Sequence, residues 1–332
     1  MSHLAIIGGG SWGTALSIVL ASRFPRIRLW VYEADLAERM ARTRQNDIFL
    51  PGIALPDNVD PVNDLEAALR GAGTILTVMP SHHVRRLAEA MLPMLRPETI
   101  LVSATKGIEN GTLLRVSEIL KQVIGRSFPP QLAVLSGPTF AREVAVGHPT
   151  AVVVSSENPS LALQVQKAFS GPTFRLYTNH DPIGVEIGAA LKNVIAIAAG
   201  ICQGLSLGSN SQAALICRGL AEITRLAVAM GGQTRTLAGL AGLGDLALTC
   251  SGDLSRNRKV GIELAAGKTP DEILSSMRMV AEGVETTHAA AALGRSFAVN
   301  LPITEQMEAI LAGRRSPREA LKELMERGLK GE

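Results

Sequence analysis

The sequence predicts an α/β protein in which a doubly wound, mostly parallel sheet is followed by an all-helical C-terminal domain. Three observations carry that prediction. Short apolar runs alternate with helix-period segments through the first half of the chain, as successive βαβ units require. A glycine-rich stretch sits between the first apolar run and the first helical pattern. Past about Asp181 the β-like runs stop, and Ala-, Leu- and Gly-rich helical segments continue to the end. The 332 residues, 46% of them hydrophobic, suit two domains better than one, and the change of pattern places these at 1–180 and 181–332.

The first strand is expected at Leu4–Ile7, running straight into "GGGSWG". Gly8, Gly10 and Gly13 form G-x-G-x-x-G between that strand and a helical pattern over Thr14–Ala21, which is the context of a Rossmann-like dinucleotide loop. Such glycines let backbone approach a pyrophosphate, and a helix starting near Ser11 offers free N–H groups and the positive end of its dipole to that anion. A tight glycine turn without a ligand is the plainer alternative. The second strand, Ile27–Val31, speaks for a nicotinamide or flavin dinucleotide, because Glu33 follows it ~20 residues beyond Gly13, where an acidic side chain accepts ribose hydroxyls. Further strands are expected at Thr74–Met79, Ile100–Ala104, Leu132–Leu135, Ala151–Val154 and Phe174–Tyr177.

In the helical half, every side chain from Ile187 to Ile201 is apolar or absent except Lys192 and Asn193. A helix there is buried nearly all round, and a lysine inside it needs a counter-charge or must shed its proton. Lys192 either snorkels to solvent or faces a nicotinamide as the group that exchanges a proton with a substrate hydroxyl. Downstream, "GLAGLGDLALTC" sets Asp245 and Thr249 after a glycine-rich turn. In "SRNRK", Ser255 reads as an N-cap, with Arg256, Arg258 and Lys259 crowding the first turn of a helix that stops at Gly267. Helix dipoles favour acids at that end, so the cations mark either a solvated basic face or an anion site. Pro317–Arg327 is the expected final helix.

Charge and cysteine usage exclude other classes. The balance of 33 basic and 30 acidic residues gives +3, with no basic block interleaved with aromatics, so a nucleic-acid partner is not expected. Cys202, Cys217 and Cys250 lie far apart, with spacing for neither a metal site nor a disulfide framework, and fit a reducing cytoplasm. No cleavable leader is expected at the N-terminus, and the Ile187–Ile201 run is too short, with Lys192 and Asn193 at its middle, to be expected as a membrane span. The small and apolar residues of the helical half suit a homodimer.

Seven segments in order, "GGGSWGTA", "ATKGIE", "SGPTFAREV", "GAALKNVIAIAAGI", "GLAGLGDLALTC", "SRNR" and "AEGV", make the chain resemble the bacterial NAD(P)-dependent glycerol-3-phosphate dehydrogenases over nearly its whole length. The resemblance implies interconversion of dihydroxyacetone phosphate and sn-glycerol 3-phosphate with NAD(P)H, supplying phospholipid synthesis. It also implies that Ser11 and Trp12 contact the cofactor, Lys106 both cofactor and substrate, Gly137 and Thr139 the substrate, and Ala141 the cofactor. Lys192 is then the proton acceptor with Asp245 beside it, while Ser255, Arg256 and Asn257 hold the substrate. Arg256, Val280 and Glu282 would also lie along the cofactor. Ser209-Asn210 stands where the family often has Asp-Asn, and Tyr32 where it often has a basic residue. A related ketoacid or ketopantoate-type reductase shares the architecture and the buried lysine and is separated only by the phosphate site, while the intact Lys192, Asp245 and Arg256 argue against a dinucleotide-sensing protein without turnover.

Overall fold

The computed structural model describes residues 3–277 and 281–328. Two compact units are present, one made of Met1–Lys106 and Leu114–Glu186, the other of Gly107–Leu113 and Ile187–Glu332.

The first unit is an eight-stranded sheet. Its strands are β1 (His3–Ile7), β2 (Ile27–Trp30), β3 (Val59–Val62), β4 (Ala72–Thr77), β5 (Ile100–Ser103), β6 (Gln131–Ser136), β7 (Thr150–Ser155) and β8 (Phe174–Asn179), in the order β3-β2-β1-β4-β5-β6-β7-β8. All neighbours are parallel except β6 and β7. Alternation along β1 sends Leu4 and Ile6 to one face and Ala5 and Ile7 to the other. Helices Ser11–Leu20, Ala34–Thr43 and Pro159–Phe169 cover the first face, and Leu65–Leu69, Val84–Met91 and Val116–Ile124 cover the second. Strand order reverses between β1 and β4, so the crevice at their carboxyl ends is the topological switch point where such sheets bind ligands.

β3 has no counterpart among the expected strands. Its sequence, Val59-Asp60-Pro61-Val62, contains a proline and an acid, residues that argue against a strand. It forms because it is an edge strand, pairing with β2 alone, so the missing Pro61 N–H costs no ladder bond on the open side.

The second unit holds helices and no strand among its described residues. Helix Pro182–Gly204 crosses helix Arg256–Ala265 at very short range, since a Cβ on Gly200 would collide with the Arg258 carbonyl and one on Gly261 with the Ile197 carbonyl. The small residues of this stretch are therefore used inside the unit. The same helix is longer than its apolar core suggested. At 23 residues and a mean hydropathy of 1.7 it is long and apolar enough to cross a membrane, and 94% of its apolar window is buried inside the protein. The last helix runs Pro317–Met325, two residues short of expectation, and starts in a capping box between Ser316 and Glu319.

Candidate active site

The glycine loop follows β1 as expected, and its glycines do different work. Gly8 has φ +128°, and a Cβ there would strike the Val78 carbonyl just past β4; a Cβ on Gly13 would strike the Gly8 carbonyl. Both are demanded by the loop's own packing. Gly10 has nothing within 4 Å of where a Cβ would stand. It is the extended N-cap of helix Ser11–Leu20 and carries no side chain to satisfy the helix's first N–H groups. The room beside Gly10 and those N–H groups fit the pyrophosphate of a dinucleotide. Ser11 Oγ donates to the Phe49 carbonyl at 2.7 Å, and Trp12 and Ala141 pack on one small apolar cluster with Ala15, Leu50 and Ala145. Two residues far apart in sequence and both expected along the cofactor thus pack on the same cluster.

Past β2, Glu33 is exposed at the N-cap of helix Ala34–Thr43, beside Tyr32, which is 64% exposed. Of the arginines able to reach back toward a 2′-phosphate, Arg39 is paired with Asp35 at 2.8 Å and Asp47 at 3.3 Å. Arg44 donates to the carbonyls of Pro56 and Val59, and Arg42 remains exposed in the last helical turn.

Lys106 is half-buried in the turn after β5, followed by Gly107 at φ +125°. The turn is tied to the end of β4 by Thr105 Oγ1, which accepts from the Met79 N–H at 3.2 Å. Gly137, at φ +149° after β6, lies so close to Val152 Cα that a Cβ would stand 2.9 Å from it, and its carbonyl accepts from Thr139 Oγ1 at 3.3 Å. His82 and His83 form an exposed turn beyond β4; partial burial holds the His83 imidazole below its usual range, aided by the charges of His82 and Arg86.

In the second unit Lys192 is 5% exposed, so it does not snorkel. Its Nζ donates to Asp245 Oδ1 and, at 2.9 Å, to Thr249 Oγ1; the Thr249 hydroxyl in turn donates to the Asp245 carbonyl at 2.6 Å. Asp245 is fully buried and opens helix Asp245–Ser251, directly after a π-helical turn over Leu240–Gly244. That turn packs Gly242 against the Leu237 backbone, where a Cβ would collide. The ion pair supplies what a buried ammonium requires, a fully desolvated counter-charge with a third group fixing its geometry. Beside it, burial pushes the Cys250 thiol up to about 12, leaving it an inert apolar filler.

Ser255 caps helix Arg256–Ala265 by accepting from the Arg258 N–H at 3.3 Å. Asn257 is buried and its Oδ1 accepts from the Gly283 N–H at 3.0 Å, next to half-buried Glu282. A Cβ on Gly283 would come within 2.8 Å of the Asn193 carbonyl, so "SRN", "AEGV" and the Lys192 helix converge. The three cations separate: Arg258 pairs with Asp253 at 2.8 Å, Lys259 lies 4.0 Å from Glu263, and Arg256 is exposed with no ion pair among the described residues. Val280, expected along the cofactor, lies outside the described residues. Two groups carry weight that no sequence pattern announced. Asn46 is fully buried against the glycine loop, and Glu186 is buried with Arg115 at 2.5 Å and the Ser117 N–H at 2.7 Å. Burial pushes the Glu186 carboxyl upward, opposed by the Arg115 charge and the Ser117 bonds.

A doubly wound sheet with a glycine-rich loop at its switch point, joined to a helical unit holding a buried lysine–aspartate pair, fits the class of nicotinamide-dinucleotide-dependent oxidoreductases. Residues 3–162 match the N-terminal model, and 181–322 the C-terminal model, of NAD-dependent glycerol-3-phosphate dehydrogenase. The chain belongs to that family. It is 55% identical over 329 residues to glycerol-3-phosphate dehydrogenase (NAD(P)+) of Koribacter versatilis, covering 98% of each chain. It is 54% identical over 333 residues to that of Citrifermentans bemidjiense, covering 99% of this chain and 98% of the other. The crystal structure of glycerol-3-phosphate dehydrogenase from Coxiella burnetii superposes with a TM-score of 0.93 at 41% identity, covering 98% of this chain and 99% of that one.

Proposed function

We propose that the protein reduces dihydroxyacetone phosphate to sn-glycerol 3-phosphate, supplying phospholipid synthesis, with Lys192 as the acid–base group. The buried Lys192–Asp245–Thr249 arrangement carries this reading. NAD(P)H, when bound, supplies the hydride. The glycine loop with Ser11, Trp12 and Ala141 is assigned to hold the dinucleotide, and Glu33 to meet its ribose. As the ketone is reduced, Lys192 gives a proton to the C2 oxygen; in the reverse direction its amine takes that proton back. Asp245 and Thr249 keep Nζ in one place and offset the charge it carries in the protonated form. Arg256, with no ion-pair partner among the described residues at a helix start capped by Ser255, is assigned to the substrate phosphate, with Asn257, Lys106, Gly137 and Thr139 as further substrate contacts and Glu282 and Val280 along the cofactor.

The deciding measurement is NADH and NADPH oxidation with dihydroxyacetone phosphate, using ketopantoate and glyoxylate as controls. Turnover only with the phosphorylated ketone supports the assignment, and equal turnover of ketopantoate sinks it. We further propose a cytoplasmic homodimer. Three free cysteines and the burial of the long apolar helix Pro182–Gly204 support the location, and exposed Val228, Leu243 and Leu254 support self-association, which sedimentation would test.

A further inference from the structure

We infer that Asn46 is a positioning residue that sets the phosphate loop for cofactor binding, an inference that rests on reading this loop as the dinucleotide site. Asn46 lies on the stretch after helix Ala34–Thr43, in a loop closed by a bridge between Gln45 and Ala54. Its side chain is fully buried and every polar atom is used. Nδ2 donates to the Gly9 carbonyl and to Thr14 Oγ1, each at 2.8 Å, and Oδ1 accepts from the Phe49 N–H at 2.9 Å. The Phe49 carbonyl in turn accepts from Ser11 Oγ at 2.7 Å. One amide therefore clasps both flanks of the turn, Gly9 before it and Thr14 after it.

The clasp matters because of what a peptide unit is. In a trans peptide the carbonyl and the following N–H point in opposite directions, so holding the Gly9 carbonyl on Asn46 turns the Gly10 N–H to the other side. A peptide between two glycines has little of its own to fix that orientation. Gly10 is also the position where the loop leaves open room. Only a buried group with two donors and an acceptor can hold Gly9, Thr14 and Phe49 at once, and asparagine is the smallest side chain that offers them. Asn46 thus organises the loop before cofactor arrives and touches no reacting atom.

The test uses the full-length protein, with NAD+ binding by calorimetry between pH 5 and pH 8 and steady-state kinetics at neutral pH. Asn46→Leu removes all three bonds and should weaken NAD+ by about tenfold or more, as expected for one to two net hydrogen bonds. Asn46→Asp should bind as weakly at pH 8, since a carboxylate cannot donate to Gly9, and recover at least about threefold toward pH 5 as a proton restores one donor. Wild type should show no such recovery. KM for NADH should rise in both variants, while kcat at saturating cofactor stays within about twofold, a split that general loss of structure would not give. Should Asn46→Leu fail to fold, Asn46→Asp and Thr14→Val, which removes a hydroxyl of the same net, carry the comparison. Folded variants with wild-type NAD+ affinity at every pH overturn the inference. Gly10→Leu separates this from the underlying reading: if it binds NAD+ like wild type, the dinucleotide does not use this loop at all.

Discussion

The role proposed for Lys192 depends on Asp245 and Thr249, which hold it. An ammonium taken out of water alone costs several kcal/mol, and the pair converts that cost into a fixed proton position. Lys192→Met should leave a folded protein whose kcat falls at least ~10²-fold, the lower range of acid–base contributions; near-normal kcat would remove Lys192 from the chemistry. Arg256→Ala should cost on the order of 2 to 4 kcal/mol in kcat/KM for dihydroxyacetone phosphate and little for unphosphorylated dihydroxyacetone. Equal losses on both substrates would place the phosphate elsewhere. At this scale the sequence was readable wherever a residue broke a pattern. Lys192 interrupts an apolar run, and Arg256 stands at the wrong end of a helix. Asn46 breaks nothing: it sits among polar neighbours in "RQNDIF", and only the fold buries it.

At the scale of elements, the proposed ribose contact at the end of β2 carries a prediction about the choice between cofactors. Glu33 stands at the N-cap position of the following helix, where it is assigned to meet the ribose, while Arg39 and Arg44 already have partners in Asp35, Asp47 and two backbone carbonyls. The protein should therefore use NADH at least as well as NADPH, judged by kcat/KM in one buffer at fixed ionic strength. A preference for NADPH above about tenfold, roughly 1.4 kcal/mol, would mean that Arg42 or a released Arg39 overrides Glu33. Strands with clean apolar runs are legible in the sequence, and their alternation with helical patterns marks the sheet. β3 was not, because an edge position tolerates Pro61 and propensity carries no information about which strand lies at an edge.

Across the whole molecule, stability should depend on pH through Glu222. Its carboxylate, buried on helix Gly208–Ala229, accepts from the Ile303 N–H at 2.6 Å and the Thr304 N–H at 3.2 Å at the start of helix Pro302–Leu311. Burial outweighs those bonds and pushes its pKa up to about 7 from 4.5. The folded state thus holds this proton more tightly than the unfolded chain, so the contribution is fully present below about 4.5 and is lost as pH rises through about 7. Chemical denaturation at pH 5 and pH 8 should show on the order of 1 to 3 kcal/mol lost in wild type and a flatter profile in Glu222→Gln. An equal slope in both would exonerate Glu222. The change of periodicity near residue 180 offers one boundary, but no period marks the passage of Gly107–Leu113 into the second unit, which is too short to carry one. That passage is held there by Asn110, whose Nδ2 donates to Glu285 at 2.8 Å, and it begins at Gly107 and ends at Leu113 with φ values of +125° and +60°. Anyone recombining this chain with a relative therefore faces a non-contiguous inheritance. A chimera spliced once near residue 186 would take Glu285 from one parent and Asn110 from the other, so workable hybrids must transfer the short insert together with the distant C-terminal half.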